Sequence, residues 1–145
     1  YVAYSPPFGR YVVKVPEGWA RTEGPNGVTF TDNLNTIRVD TTTAVSAPDV
    51  ATVRADEAPT LRATNPGFQL QDATVVQRLA GTAVLVTFLD DGPPNAVTGK
   101  RDRQAVQRYE FWRNGTQVTM TLVSPVGADN VDPWRKVTDS FAWQG

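Results

Sequence analysis

The chain has 145 residues, of which 40% are hydrophobic and 20% charged, and its 14 basic and 15 acidic side chains leave a formal net charge of −1. This length suits one domain, and this balance excludes a disordered or a membrane-spanning chain. A net charge so close to zero argues against nucleic acid as a partner, because phosphate binding needs a basic surface. The absence of His and Cys removes imidazole bases, thiolate nucleophiles, disulfides and most zinc sites. We therefore predict one domain over residues 1–145, with no cofactor and no metal.

The chain up to residue 44 is predicted to form antiparallel strands. Short runs rich in Val and Thr, which favour strands, alternate with turn signals. Asn26-Gly27 is predicted to supply the positive φ of a tight hairpin, and Asp32-Asn33 marks a second turn. Connections this short suit antiparallel pairing only. The predicted strands cover residues 11–15, 19–23, 28–31 and 36–44.

A helix is predicted over residues 46–64. Its apolar residues recur at helical spacing, at Val50, Val53 and Leu61. Pro59 lacks a backbone N–H, so we expect the helix to stop or kink near Glu57 or Ala58. The Asn-Pro-Gly sequence that follows closes the segment.

Strands resume after residue 67 and are followed by a second helix. Asn114-Gly115 is the strongest hairpin signal in the chain, and Ala80-Gly81 marks another hairpin. The last helix is predicted to have Asp132 as its N-cap and Pro133 in its first position. Its apolar side is predicted to hold Trp134, Val137 and Phe141, and the strands to cover residues 68–79, 82–89, 104–113 and 116–124, with a polar loop at 90–103. This order predicts an α+β fold with a single antiparallel β-sheet packed with helices.

Motifs for catalysis or metal binding are incomplete. The sequence 98–101, Thr-Gly-Lys-Arg, ends like a phosphate-binding loop but lacks the first Gly of that motif and the hydroxyl residue after the Lys. The oxygen ligands Asp90, Asp91, Asn95 and Asp102 lack the spacing of a calcium loop. Without His, only a pair of carboxylates, as in glycoside hydrolysis, remains for catalysis. We predict that the chain is not an enzyme.

Alternation within the strands divides their side chains into two faces. If the strands keep phase, the apolar face is predicted to hold Ile37, Val39, Val84, Val86, Phe88, Tyr109, Phe111, Val118, Met120 and Leu122. The opposite face holds the candidate partner-binding residues Arg38, Asp40, Arg108, Glu110 and Trp112, together with Thr119 and Thr121. Charges mixed with an aromatic side chain are typical of a wet protein interface. A solvated sheet face that binds nothing is the alternative.

The order of these features resembles the PsbP-like superfamily. The resemblance rests on the strand and Pro-Glu-Gly-Trp sequence at 11–19, the strand at 28–32, the hairpin at 108–124, and Trp134 spaced before Asp139-Ser140-Phe141. It implies a PsbP-like α/β/α sandwich over the whole chain, with no catalytic residues to transfer. The Arg- and Val-rich usage is most similar to small actinobacterial lipoproteins of the LpqN type. That similarity implies an extracytoplasmic protein, anchored in the membrane through an N-terminal segment absent from this chain.

Three functions remain open from the sequence. The first is a non-enzymatic extracytoplasmic accessory or protein-binding domain, the soluble part of an anchored lipoprotein, which a flat polar face would favour. The second is a carrier of a small lipid or sugar ligand between the sheet and its helices, which a cavity lined by Trp19, Trp112 or Trp134 would favour. The third is a carboxylate-based hydrolase, which needs two carboxylates about 5–9.5 Å apart in a cleft.

Overall fold

Most of the chain forms antiparallel strands, as its Val- and Thr-rich runs predict. The computed structural model describes residues 1–33 and 35–145. Seven strands pair in the order β3-β4-β5-β9-β8-β7-β6, and every pairing in this sheet is antiparallel. They are β3 (Ala20–Glu23), β4 (Gly27–Asp32), β5 (Asn35–Thr43), β6 (Gln69–Arg78), β7 (Gly81–Asp91), β8 (Arg103–Arg113) and β9 (Thr116–Pro125).

A smaller sheet of three strands adds to the predicted one. β2 (Tyr11–Val15) lies at its centre, between β1 (Val2–Tyr4) and β10 (Ala142–Trp143), and both pairings are antiparallel. The two outer strands have three and two residues, too few for alternation to identify them in the sequence. The small sheet therefore brings both terminal segments of the chain to one strand.

The first predicted helix is present, and it changes from α-helical to π-helical geometry just before Pro59, where a disturbance was expected. An α-helical turn, α1 (Val50–Thr52), leads into a π-helical turn (Val53–Glu57) and then into α2 (Ala58–Thr64). In the π turn, the Ala58 N–H donates to the Val53 carbonyl. Because Pro59 has no N–H to donate, this wider turn lets the chain pass the proline and remain helical. The helix thus continues to Thr64 instead of stopping, and we call residues 50–64 the helical segment.

The last helix, α3 (Val131–Ser140), begins one residue before its predicted N-cap. Its N-cap is Asn130, whose carbonyl accepts from the Trp134 N–H, so Asp132 and Pro133 lie within the first turn. The predicted apolar side is confirmed as buried, with Trp134 and Val137 on the helix and Phe141 directly after it.

The two Asn-Gly sequences differ in outcome. Asn114-Gly115 forms the predicted two-residue hairpin, with φ values of 48° and 83°, and Phe111 lies opposite Val118 on the same face. The prediction for Asn26-Gly27 is wrong, because neither residue has a positive φ and residues 24–27 separate the paired Glu23 and Val28. Gly27 is needed there for another reason: a Cβ would clash with the Asp40 carboxylate.

Apolar layers cover both faces of the seven-stranded sheet, as the predicted α/β/α sandwich requires. On one face, the larger core packs the small sheet and α3 against β4, β5, β8 and β9. On the other face, the helical segment packs against β6, β7 and β8 through a second cluster that includes Val53, Phe88 and Val106. The α+β class and the PsbP-like architecture are confirmed.

The predicted facing of one strand is wrong. β7 turns Val84, Val86 and Phe88 toward the helical segment, so that Val84 lies opposite Glu110 and Val86 opposite Arg108. Ala83 and Leu85, which alternate with them, are also apolar and belong to the larger core or pack against it. Alternation did not fix the phase of β7, because a strand covered on both faces is apolar on both sides.

Candidate functional site

The five predicted site residues lie on one face of the sheet, the face that also carries the helical segment. Arg38, Thr121 and Arg108 stand side by side across three strands, and Asp40, Thr119 and Glu110 form the adjacent row. Trp112 lies on the same face, opposite Gln117. The sequence thus grouped these residues correctly in space, but the helical segment divides them into a covered half and an open half.

In the covered half, Arg108 lies between two carboxylates. Its Nε donates to Glu57 Oε1 at 2.5 Å and to Glu110 Oε2 at 3.2 Å. Glu57 comes from the π turn of the helical segment, whereas Arg108 and Glu110 are two residues apart on β8. The three side chains, which we call the Glu57–Arg108–Glu110 cluster, therefore tie the helical segment to the sheet.

The Glu110 carboxyl is nearly inaccessible, with 2% of the residue exposed. Burial raises its pKa to about 8, helped by a hydrogen bond to Glu57 and by the negative charge of Glu57, while the Arg108 guanidinium acts in the opposite direction. The raised pKa favours the protonated form of Glu110 at neutral pH, in which its carboxyl O–H donates a hydrogen bond to Glu57.

A cleft of about 220 Å³ opens beside this cluster, between the start of the helical segment and β8 and β9. Asp49 borders the cleft as the helix N-cap, where its carboxylate accepts from the Thr52 N–H. Glu57 and Glu110 also border it, but they bind the same arginine nitrogen and each other. A glycosidic bond and its attacking group need the two carboxylates farther apart, so this spacing does not match the hydrolase geometry.

In the open half, Arg38 and Asp40 form an ion pair of 2.9 Å, with side-chain exposures of 60% and 27%. Threonines surround the pair on β3, β4, β5 and β9. We call this surface the open face, and it consists of Thr22, Thr29, Thr36, Arg38, Asp40 and Thr121. An exposed pair of this kind contributes little to folding stability, since solvent screens it.

Trp112 lies at the margin of this face and is partly buried. Its indole Nε1–H donates to the Ala44 carbonyl at 2.8 Å, just beyond the end of β5. The side chain thus fixes the chain where it leaves the sheet toward the helical segment. Of the predicted site, Arg38 and Asp40 remain fully on the open face, whereas Glu110 and most of Arg108 do not.

The sequence missed Glu57 as a member of the site. Its position on the π turn and its approach to Arg108 depend on how the helical segment packs on the sheet. Pro59, two residues later, indicated that the helix is disturbed at this position. It gave no sign that Glu57 would contact Arg108. Of the tryptophans proposed for a ligand cavity, Trp112 lies at the margin of the open face, whereas Trp19 packs edge-on against Trp134 of the larger core.

Within residues 1–33 and 35–145, no helix has both the length and the apolar character needed to cross a membrane. In the same residues, no group of three or more acidic side chains is placed to hold a metal ion.

Comparisons with known proteins identify the fold. No protein-family model matches the chain, and no curated protein matches its sequence. CyanoP, the PsbP of the cyanobacterium Synechocystis, matches with a TM-score of 0.73 at 13% identity, over 99% of this chain and 92% of that one. LpqN of Mycobacterium tuberculosis gives 0.59 at 16% identity, over 93% and 83%, and Mog1p of Saccharomyces cerevisiae gives 0.61 at 10% identity, over 97% and 93%.

The chain therefore has the fold shared by PsbP and Mog1, and LpqN is a neighbour within it. The fold resemblance found in the sequence is confirmed. The chain spans 48% of a Bacteroides thetaiotaomicron protein that it also matches, so this fold occurs there as part of a longer chain.

Proposed function

We propose that the chain is a non-enzymatic accessory domain that binds a protein partner through the open face. The observation that carries this proposal is the unequal covering of the sheet. One side is covered by the small sheet and α3, and half of the other by the helical segment. Among the residues that the structure describes, no element covers the half around Arg38 and Asp40. A mixed polar surface carried by four neighbouring strands, β3, β4, β5 and β9, is a rigid platform for a partner.

The composition of the open face suits a hydrated interface. Arginine is enriched among residues that contribute most to binding, and threonines lose little side-chain freedom when they are covered. Two structural neighbours support a binding or accessory role: Mog1p is a Ran-binding protein, and LpqN is involved in cell envelope biogenesis.

Site-specific photo-crosslinking tests the proposal in the organism that makes the protein. A photoreactive residue at Thr29 or Thr36 should give one discrete adduct with another protein, and Arg38→Ala should reduce its yield. The matched control places the same residue at Arg54, an exposed position on the helical segment that we expect to give no such adduct. Equal adducts at all positions, or none at the open face, would refute this role.

We propose further that the domain acts outside the cytoplasm, as a membrane-anchored protein. The neighbour LpqN, involved in cell envelope biogenesis, supports this location. Fractionation of cells with an antibody against the domain tests it, with a cytoplasmic enzyme as marker. Recovery of the native protein with that marker would contradict the proposal.

A further inference from the structure

A small pocket of about 250 Å³ lies near the N-terminus of the chain and shares no residue with the cleft beside the Glu57–Arg108–Glu110 cluster. One wall is the connector between β1 and β2, which carries Pro6, Pro7 and Phe8. The other wall is the loop between β3 and β4, with Pro25. Tyr4 and Tyr11 form the inner part, and we call this cavity the N-terminal pocket.

Both walls are fixed by the fold. Gly9 and Arg10 have φ values of 76° and 79°, a conformation that is unfavourable for arginine and needs support. That support comes from the Arg10 Nη1 bond to Thr116 Oγ1 at 3.0 Å and from the Gln144 N–H, which donates to the Arg10 carbonyl. On the other wall, the Thr41 N–H donates to the Asn26 carbonyl at 2.8 Å. The pocket is thus formed before any ligand enters.

The lining of the pocket has a distinct chemistry. Three aromatic rings, of Tyr4, Phe8 and Tyr11, line it together with prolines, and Phe8 is 50% exposed. Glu23 is the charged side chain of the lining, and the Tyr4 hydroxyl donates to its Oε1 at 3.1 Å. None of the described lining residues is basic. The Arg21 guanidinium lies 5.6 Å from the centre of the Tyr4 ring without lining the pocket.

The two phenols add no negative charge at neutral pH. Burial raises the pKa of Tyr4 to about 12 and also raises the pKa of Tyr11. The pocket therefore combines three aromatic rings with one carboxylate. Rings of this kind attract cations, and most strongly when the cation is easily desolvated. An anion would be repelled by Glu23, and a neutral ligand would lack the charge attraction to the carboxylate.

We propose that the N-terminal pocket binds a small organic cation of the quaternary ammonium type. Its volume lies below the range of drug-sized sites, which restricts the ligand to a compact group. This site is separate from the open face, and its function does not depend on the protein partner proposed above.

Titration calorimetry with choline and with its neutral isostere 3,3-dimethyl-1-butanol tests the proposal. The two probes have the same shape and differ in charge, so we expect choline to bind and the alcohol to bind at least about tenfold more weakly. Phe8→Ala should weaken choline binding about fivefold or more, since a ring facing the cation is lost. Glu23→Gln should weaken it while keeping an acceptor for Tyr4.

Glu17→Gln is the matched control, because Glu17 is exposed and does not line the pocket. It should bind choline as the unaltered protein does. Far-UV circular dichroism confirms folding of each variant, and the half-exposed Phe8 makes loss of the fold by Phe8→Ala unexpected. Equal binding of the two probes, no binding of choline at millimolar concentration, or unaltered binding by folded Phe8→Ala would each overturn the proposal.

Discussion

The burial of Glu110 differs from what its position in the sequence predicts. In the sequence Glu110 is a charged residue that alternates with apolar ones on β8, which predicts exposure to solvent. In the structure it is 2% exposed, because the helical segment covers it and Glu57 and Arg108 contact it. A carboxyl group in this position makes folding depend on pH.

The direction of that dependence follows from the pKa. The folded protein raises the pKa of Glu110 from 4.5 to about 8, so the contribution of this group to stability is complete below pH 4.5. It declines as the pH rises from 4.5 toward 8, because over this range the unfolded state has released a proton that the folded state still holds. We expect the unfolding free energy of the unaltered protein to fall across this range relative to Glu110→Gln, by on the order of a few kcal/mol.

Urea unfolding of both proteins between pH 4.5 and 9 measures this difference. Glu17→Gln, at an exposed glutamate, serves as the control and should give a difference that does not vary with pH. Parallel pH profiles for Glu110→Gln and the unaltered protein would contradict the buried, protonated state.

The hairpin residue Gly115 has a more local effect. Its φ of 83° belongs to the left-handed region, which side chains with a Cβ adopt at a cost. Gly115→Ala should therefore lower the unfolding free energy by about 1 kcal/mol, measured by urea unfolding. Gly24→Ala is a matched control, because Gly24 has no positive φ and a Cβ there meets only the Gly27 carbonyl at 3.8 Å. A loss from Gly24→Ala as large as that from Gly115→Ala would refute the conformational explanation.

At the scale of the element, α3 depends on its contacts with the larger core. Trp134 is 4% exposed, and Phe141 stacks on Phe111 with ring centres 4.6 Å apart. Trp134→Ala should lower the unfolding free energy by about 3–5 kcal/mol, because it removes a large buried side chain and leaves a cavity. The adjacent exposed Arg135→Ala should change it by less than about 0.5 kcal/mol. A midpoint shift for Trp134→Ala no larger than the control would show that α3 does not depend on this contact.

The elements also show what sequence patterns can and cannot predict. The hairpin at Asn114-Gly115 was predictable because its geometry is local and needs a positive φ that these two residues tolerate. The phase of β7 was not, because both faces of this strand are covered and carry apolar side chains, so that alternation does not distinguish them. The burial of Arg108 and Glu110 beneath the helical segment could not be predicted either, because it depends on where a helix distant in sequence packs.

For the whole molecule, position in the sheet should determine local stability. β5, β9 and β8 lie at the centre of the seven-stranded sheet, whereas β3 is an edge strand with four exposed residues. Native-state hydrogen exchange should give the slowest amide exchange in the three central strands and the fastest in β3. Equally slow exchange in β3 would indicate that something protects this edge.

The small sheet has a mechanical consequence. β1 and β10 both pair with β2, with Val2 opposite Val15 at one end and Trp143 opposite Tyr11 at the other. Tyr1 and Gly145 therefore leave the sheet at opposite ends of the same strand. A tension applied between them would act along β2 and load the hydrogen bonds of each pairing in shear, so that the bonds within a pairing would have to break together and not one after another.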